Sequence, residues 1–474
     1  MNCESVIVWF RDDLRVADNP AFTAAVQSGL PVLPVYLWSP AEENPWEPGA
    51  ASRWWLHQSL RSLEVSLGKL GLRLILRHGP SLEALRALAA EAGAKAVFWN
   101  RRYEPAIVER DKTAKASLRA SGIDAQSFPG NLLREPWTIR NTAGQPFRVF
   151  TAFWKACQTG QPAPEPLPAP KSARAPLQWP ASAALRDLGL EPQIDWAAGL
   201  RESWRPGETA AIERLDRFLE SGLRSYGNAR DIPAETGTSW LSAHLHFGEI
   251  SPRQVWHKVA RSASETEAAP YLRQLIWREF AFHTLFHFPA TPSEPFNARF
   301  ARFPWQYNRA TFRAWSKGLT GYPMVDAGMR QLWHTGWMHN RVRMIVASFL
   351  VKHLLIPWQH GARWFWDTLV DADLANNTFG WQWAAGCGAD PAPYFRIFNP
   401  VLQGEKFDAR GNYIRRWIPE LGRLPDRWIH CPWQAPKQIL KAAGIVLGST
   451  YPAPIVDHRL ARERALDAFT STCR

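Results

Sequence analysis

Cysteine is scarce in this chain: Cys3, Cys157, Cys387, Cys431 and Cys473 are the only five among 474 residues. None forms a CxxC pair. That argues against a disulfide framework, a zinc ribbon and a four-cysteine iron–sulfur cluster, and it suits a reducing, intracellular compartment. No apolar run approaches the roughly 18–20 residues of a membrane span. The N-terminus turns polar again after Phe10 and carries Asp12 and Asp13, unlike a signal peptide. No GxGxxG follows the first apolar run, so the usual dinucleotide fingerprint is missing. There is no internal repeat, and no long tail follows Pro454–His458.

Positive charge and tryptophan are abundant. Lys and Arg number 56 against 43 Asp and Glu, a net charge of +13. So basic a chain points to a polyanion partner, nucleic acid first; the alternative is an inert basic surface. With 46% hydrophobic residues the composition is globular. At about 150 residues per domain the length allows two to four domains. The 26 tryptophans are compatible with core packing, base stacking or electron relay beside a redox cofactor, and composition does not choose among these.

The first 130 residues alternate strand and helix. Strands are expected at Ser5–Phe10, Pro31–Trp38, Leu72–Leu76, Lys95–Trp99 and Ile123–Phe128. Helices are expected at Ser52–Leu70, with Trp55, Leu56, Leu60, Leu63 and Leu67 on one face, and at Ser81–Ala92, with Ser81 as N-cap. Strands separated by helices imply a parallel doubly wound sheet. The stretch Gly160–Pro180 is rich in proline and alanine and is expected to be a surface connector. Helices dominate from Pro206: an amphipathic one through Ile212, Leu215, Phe218, Leu219 and Leu223, another at Tyr271–His287, and a buried one at Arg341–Leu355.

Four clusters could carry chemistry. Thr238, Ser239 and Ser242, in Gly237–Ser242, suit either a diphosphate cradle or a helix N-cap. Gln274 and Trp277 share a helical face, fit either to read and stack a base or to pack and face solvent. Asn340, Arg341 and Arg343 head a very apolar helix, which is costly unless they are capped, paired or bound to something. Asp371 and Asp373 could hold a metal, accept from a hydroxyl or ring N–H, or pair with Arg343. His283 and His287 stand one turn apart but among Leu285, Phe286 and Phe288, so no metal site is expected.

Taken together, these motifs resemble the photolyase/cryptochrome family. The resemblance starts at Trp9–Arg15 (WFRDDLR) with Asp18 and Asn19. It continues through Gly237–Ser242, Leu275–Phe280 (LIWREF), Gly321–Met329, Gly336–Met344 (GWMHNRVRM), Asp371–Trp383 and Pro393–Pro400 (PYFRIFNP). It spans essentially the whole chain. Within the family the chain is most similar to bacterial cyclobutane pyrimidine dimer photolyases of class III, between class I photolyases and plant cryptochromes.

The resemblance implies an α/β antenna-binding domain (1–130), a linker (131–205) and an all-α domain (206–474) that holds FAD and DNA. It implies light-driven repair of cyclobutane pyrimidine dimers, by electron transfer from excited reduced FAD to a flipped-out dimer. Tyr226, Thr238, Ser239, Leu241, Ser242 and Arg278 are similar to the phosphate-side FAD contacts. Asn340, Arg343, Asp371, Asp373 and Asn377 are similar to the ring-side ones, with Asn377 beside flavin N5. Trp277, Trp383 and Met344 resemble the apolar walls around the flipped dimer, and Gln274 the group that bonds its edge. Arg230, Arg341 and Arg396 match positions that hold the DNA backbone, where Gln274, Trp277, Asn340 and Trp383 would also touch DNA. Trp381, Trp358 and Trp305 match a tryptophan chain from flavin to surface.

Two departures stand out. Dimer-repairing members usually have glutamate where this chain has Gln274, which opens a second expectation: a cryptochrome-like blue-light photoreceptor with weak or no repair. The (6-4) photolyases need histidines at the positions of Asn340 and Met344, and this chain has neither. The common folate-contacting pair falls at Ala106 and Ile107, so a methenyltetrahydrofolate antenna would bind in another pose, near Arg53, Trp54 and Trp55. A monomer is expected, in a bacterial cytoplasm, on the nucleoid when bound to DNA.

Overall fold

Ser5–Phe10 forms strand β1, and all six of its residues are buried. A run apolar on both faces needs cover on both sides, which a sheet between helix layers provides. In the computed structural model, which describes residues 4–391 and 395–473, β1 is the centre of a five-stranded parallel sheet. The other strands are β2 (Val32–Trp38), β3 (Ile75–His78), β4 (Ala94–Asn100) and β5 (Asp124–Phe128), in the order β3-β2-β1-β4-β5, so that β1 pairs with β2 and β4. Helices α1 (Pro20–Gln27), α2 (Ala50–Gly68), α3 (Ser81–Ala92) and α4 (Pro105–Ala120) connect them. Cys3 and the first two residues of the Pro393–Pro400 motif lie outside the described residues.

Two local expectations are corrected here. The third strand begins at Ile75, not Leu72, because the Leu72 N–H is spent on the Leu67 carbonyl at the end of α2 and the ladder with β2 starts at Ile75. Ser81 is the first helical residue of α3 rather than its N-cap. Its N–H and hydroxyl both donate to the Glu42 carboxylate, at 2.8 and 2.5 Å, so a distant residue caps this helix.

The connector from 161 to 184 contains no helix or strand. Main-chain bonds pin it to the sheet: Val32 N–H donates to Arg174 O, and Ala183 N–H to Leu76 O. On its N-terminal side lies α5 (Phe150–Thr159). The helical half follows as α6 (Ala198–Ser203), α7 (Glu208–Ser221), α8 (Tyr226–Ala229), α9 (Ser242–His246), α10 (Pro252–Ser262), α11 (Glu265–His287), α12 (Arg309–Ser316), α13 (Pro323–Thr335), α14 (Asn340–Ser348), α15 (Trp358–Thr368) and α16 (Leu374–Ala385). Then come α17 (Pro400–Phe407), α18 (Asn412–Trp417), α19 (Lys437–Ala443) and α20 (His458–Cys473).

Helix α11 starts six residues before the expected Tyr271. Ser264 and Glu267 close a capping box in which the Ser264 N–H donates to Glu267 Oε2 at 3.1 Å, and Pro270 is carried inside the helix. The buried helix expected at Arg341–Leu355 is α-helical to Ser348 and then π-helical over Phe349–His353.

Buried polar residues join the two halves. Arg15 is fully buried and donates to the carbonyls of Asp18, Gly130 and Gly248. Glu208 accepts the N–H groups of Val16 and Ala17, and Arg253 pairs with Asp18 at 3.0 Å. The WFRDDLR motif therefore sits at the junction of the two halves: Arg15 reaches Gly248 O in the helical half, whereas Arg11 pairs with Asp111 and Asp12 with Arg102 inside the α/β half.

Candidate cofactor and nucleic-acid site

Helix α16 packs against both α11 and α14, which brings three sequence clusters to one place. Asp373 caps α16, accepting Asn376 N–H at 2.8 Å and Asn376 Nδ2 at 2.6 Å; burial raises its carboxyl above the usual range. Arg343 donates through Nη2 to Asp371 Oδ2 at 2.7 Å and through Nε to Met338 O at 2.7 Å. Of the open alternatives for Asp371, the Arg343 pair is the one formed. Its other oxygen, Oδ1, is buried with no donor among the described residues. Asn377 donates Nδ2 to Ala362 O at 3.0 Å, which leaves its side-chain oxygen as the free end.

The second cluster lies between α8 and α9. Trp240 takes a positive φ of 57°, and α9 opens at Ser242. Ser239 Oγ accepts from Tyr271 OH at 2.9 Å, and Ser242 Oγ accepts from Trp337 Nε1 at 3.3 Å. Thr238 Oγ1 is buried without a partner. Tyr226 is buried, its phenol pushed up to about 12, and Leu241 is buried beside it in the same core cluster. Arg278 reaches Asn131 O at 2.8 Å, and Asn131 Oδ1 is again buried and unpaired. No local signal marks Asn131, and Trp337 lies inside the Gly336–Met344 motif without being singled out by it; its bond to Ser242 spans 95 residues.

An unsatisfied buried polar group costs about 1–3 kcal/mol. Four here, Thr238 Oγ1, Asn131 Oδ1, Asp371 Oδ1 and Trp381 Nε1, belong to the flavin-side residues or adjoin them. A ligand carrying phosphate, hydroxyl and ring N–H groups offers partners of the right kind, so the residues present fit FAD. Asp371 and Asn377 would take its ring donors, and Thr238, Ser239 and Arg278 its phosphates.

The outer side of the site is apolar and partly open. Trp277 is half-buried on α11, stacked on Phe150 with ring centroids 3.4 Å apart and 5.9 Å from the Phe379 ring of α16. Gln274 donates Nε2 to Pro270 O at 3.2 Å, so its carbonyl oxygen and one amide hydrogen are left to a ligand. Asn340 is exposed, with its amide 4.0 Å from Met344 Sδ one turn on. Trp383 is half-buried near Phe398. Arg396 is exposed; Arg341 is held by Asp231 at 2.9 Å, and Arg230 lies over the Tyr226 ring at 5.9 Å.

Trp381 and Trp358 are 2% and 1% exposed, and Trp305 is partly buried against the same core. Main chain ties Trp305 to this region, since the next residue, Gln306, donates to Leu355 O at 2.8 Å. Trp54 and Trp55 are 1% and 0% exposed, and Trp55 Nε1 donates to buried Glu249 at 3.1 Å, so neither offers a face to a pigment; Arg53 is exposed.

Residues 271–471 match the family described as FAD binding domain of DNA photolyase, and residues 6–171 the one described as DNA photolyase. The chain is 51% identical to a deoxyribodipyrimidine photo-lyase of Agrobacterium fabrum over 470 residues, 98% of each protein. It is 43% identical to Cryptochrome-2 of Arabidopsis thaliana over 99% of its own length and 79% of the plant protein. Its fold matches the crystal structure of a bacterial class III photolyase from Agrobacterium tumefaciens with a TM-score of 0.96 at 50% identity, covering 100% of this chain and 98% of that one.

Proposed function

The chain belongs to the DNA photolyase and cryptochrome family, and on that premise we infer that it is a deoxyribodipyrimidine photo-lyase, a flavoenzyme that reverses cyclobutane pyrimidine dimers in DNA under light. The observation that carries this reading is the two-sided site: buried, unpaired polar atoms on its inner side and a partly open apolar wall on its outer side, joined by α16.

Bound on the inner side, reduced FAD supplies the photoexcited electron that opens the cyclobutane ring. The chain's own residues bind and orient. Arg343 fixes the Asp371 carboxylate, and Ala362 O fixes the Asn377 amide with its oxygen free. Such an acceptor suits a flavin N–H and places no negative charge beside an anionic ring. Trp277 and Trp383 offer stacking surfaces worth about 1–3 kcal/mol per base, enough to offset much of the few kcal/mol that extruding a dimer costs. Met344 completes a wall that excludes water. Gln274 offers its carbonyl oxygen to a pyrimidine N–H. Arg230, Arg341 and Arg396 hold the flanking phosphates, and the net charge of +13 draws DNA in from a distance. Trp381, Trp358 and Trp305 would carry electrons inward from the surface toward an oxidised flavin held there.

The antenna is proposed to be methenyltetrahydrofolate, away from Ala106, Ile107 and the sealed Trp54–Trp55 pair. Its release on denaturation, read by absorbance and mass, tests this. The protein is proposed to act as a cytoplasmic monomer that joins the nucleoid when it binds DNA.

Gln274 is the observation that favours a photoreceptor instead. One experiment separates the two: blue-light repair of a thymine cyclobutane dimer in an oligonucleotide, with a dark control and a (6-4) lesion in parallel. Light-dependent repair of the dimer alone is expected. Failure on both lesions with a reducible flavin would transfer the chain to the photoreceptor reading.

A further inference from the structure

Lys352 is 1% exposed, and none of the roles above uses it. It sits in the π-helical turn that continues α14. Its Nζ donates to the main-chain carbonyl of Arg396 at 2.7 Å and lies 4.3 Å above the centroid of the Phe395 ring. One turn earlier, Ser348 Oγ accepts the Phe398 N–H at 3.3 Å. Two side chains four residues apart on one element thus grip residues 396 and 398 of a segment that, from Arg396 to Asn399, belongs to no helix or strand.

That segment is bent against its preference. Phe395 has a φ of 47°, a left-handed conformation unusual for a residue with a β-carbon. It is held there between the Lys352 ammonium and the Phe469 ring of α20, stacked with centroids 4.4 Å apart. The bend leaves Arg396 exposed, with its guanidinium 5.4 Å from the Phe398 ring, and Phe398 in turn lies against Trp383.

We propose that Lys352 is a positioning residue for the lesion: its ammonium fixes the Phe395–Phe398 bend and, through it, the orientation of Arg396 and of the Trp383 wall toward a flipped pyrimidine dimer. The proposal rests on the reading of Trp383 and Arg396 as lesion contacts.

A buried ammonium is an expensive way to fill space, and methionine would fill it at less cost. What lysine adds is a charge-assisted hydrogen bond to a carbonyl and a cation over an aromatic face, both stronger than a neutral amine provides. Burial brings Lys352 down to about 7. The titratable and charged groups around it do not share that range. Cys387, from the turn after α16, is pushed up to about 12; His353 on the same turn is brought down to about 3; His458 from α20 is lowered; and Arg464, also from α20, is occupied with His353 O. The grip on the bend therefore weakens as pH rises from 6 to 8.

The test is Lys352→Met in the FAD-loaded full chain. Dissociation constants for a dimer-containing oligonucleotide are measured from pH 6 to 8, together with repair per absorbed photon at saturating protein. The variant is expected to bind the dimer about tenfold more weakly at pH 6, because a bend no longer held in the free protein must be ordered on binding. Repair per photon of bound dimer falls by less than affinity does, since Lys352 touches neither flavin nor dimer. Wild-type affinity falls from pH 6 to 8, and the variant's is flat. In the DNA-free protein, amide exchange at Phe398 is faster in the variant. Ser348→Ala, which leaves the charge in place, weakens binding but keeps the wild-type pH profile, and it serves if Lys352→Met does not fold. Wild-type affinity in both variants, or a pH profile unchanged by Lys352→Met, overturns the proposal. A wild-type protein that does not prefer the dimer to undamaged DNA sinks the repair reading itself. Clear wild-type preference with an unaffected Lys352→Met sinks only the role of Lys352.

Discussion

Gly361 on α15 lies directly against the Trp381 indole on α16: a β-carbon at this glycine would overlap Cη2 and Cζ3 of the ring. Trp358 stands one turn earlier on α15, so the glycine sets how closely the first two tryptophans of the chain approach. Gly361→Ala is expected to displace Trp381, to slow photoreduction of oxidised flavin in steady blue light, and to cost about 1–3 kcal/mol through overpacking. Trp381→Phe leaves an aromatic ring in the core but removes the indole, and is expected to abolish photoreduction. Undiminished photoreduction in Trp381→Phe would remove it from the electron path.

Gln274 spends one amide N–H on Pro270 O and has its carbonyl oxygen and one further N–H to offer, but no acidic proton. In Gln274→Glu, a carboxylate would face that same carbonyl, so the protonated acid is favoured there, and its one O–H can turn from Pro270 O to a pyrimidine carbonyl when the dimer is bound. Repair yield per photon is expected to rise in Gln274→Glu, most at acidic pH, and the gain to shrink as the acid ionises. A yield equal to wild type at every pH would show that position 274 does not limit repair.

Glu279 accepts the N–H groups of Leu133 and Arg134, both at 3.0 Å, yet burial pushes its carboxyl from 4.5 up to about 7. Between these values the folded state keeps a proton that the unfolded chain has lost. This contribution to stability is complete below pH 4.5 and is lost as pH rises through 7, with a slope of up to roughly 1.4 kcal/mol per pH unit. Urea unfolding at pH 5 and pH 8 is expected to show a smaller pH difference in Glu279→Gln than in wild type.

Trp55 and His244 both bond to the buried Glu249 carboxylate, at 3.1 and 2.5 Å, and so tie α2 to α9 across the two halves. Trp55→Phe removes one hydrogen bond to a charged group and is expected to cost about 1.5–3 kcal/mol in chemical unfolding. The visible spectrum of the bound chromophores should be unchanged. Loss of an antenna band would return Trp55 to the pigment site.

Arg396 is the exposed member of the three arginines assigned to DNA phosphates. Arg396→Ala is expected to lower the slope of log affinity against log salt by about 1, as loss of one phosphate contact does. Binding to undamaged duplex should weaken with it. An unchanged slope would mean that Arg396 neutralises no phosphate.

The sheet was legible because period and length alone mark buried strands between helices. Ser5–Phe10 came out as expected, and the others within a few residues. Two of the misses come from hydrogen bonds that residue period does not report. Ser81 looks like a cap, but Glu42 supplies the cap; Leu72 looks like the start of a strand, but its N–H closes α2. The early start of α11 was within reach, since Ser264 and Glu267 are a capping box in plain sequence.

The sequence by itself determined the helix and strand periods, the basic charge and the long motifs, because these depend on the order of residues along the chain. Those motifs were enough to bring Asp371, Asn377, Gln274 and Trp277 forward as one set. Only the tertiary structure decided which atoms of that set are free. Arg343 takes one oxygen of Asp371, Ala362 takes the Asn377 amide, Phe150 covers one face of Trp277, and Lys352 reaches forty-four residues ahead to hold Arg396. Each of those partners lies on another element of the fold. Hydrogen bonds and ring contacts act over a few ångströms of space, and distance along the chain does not encode them.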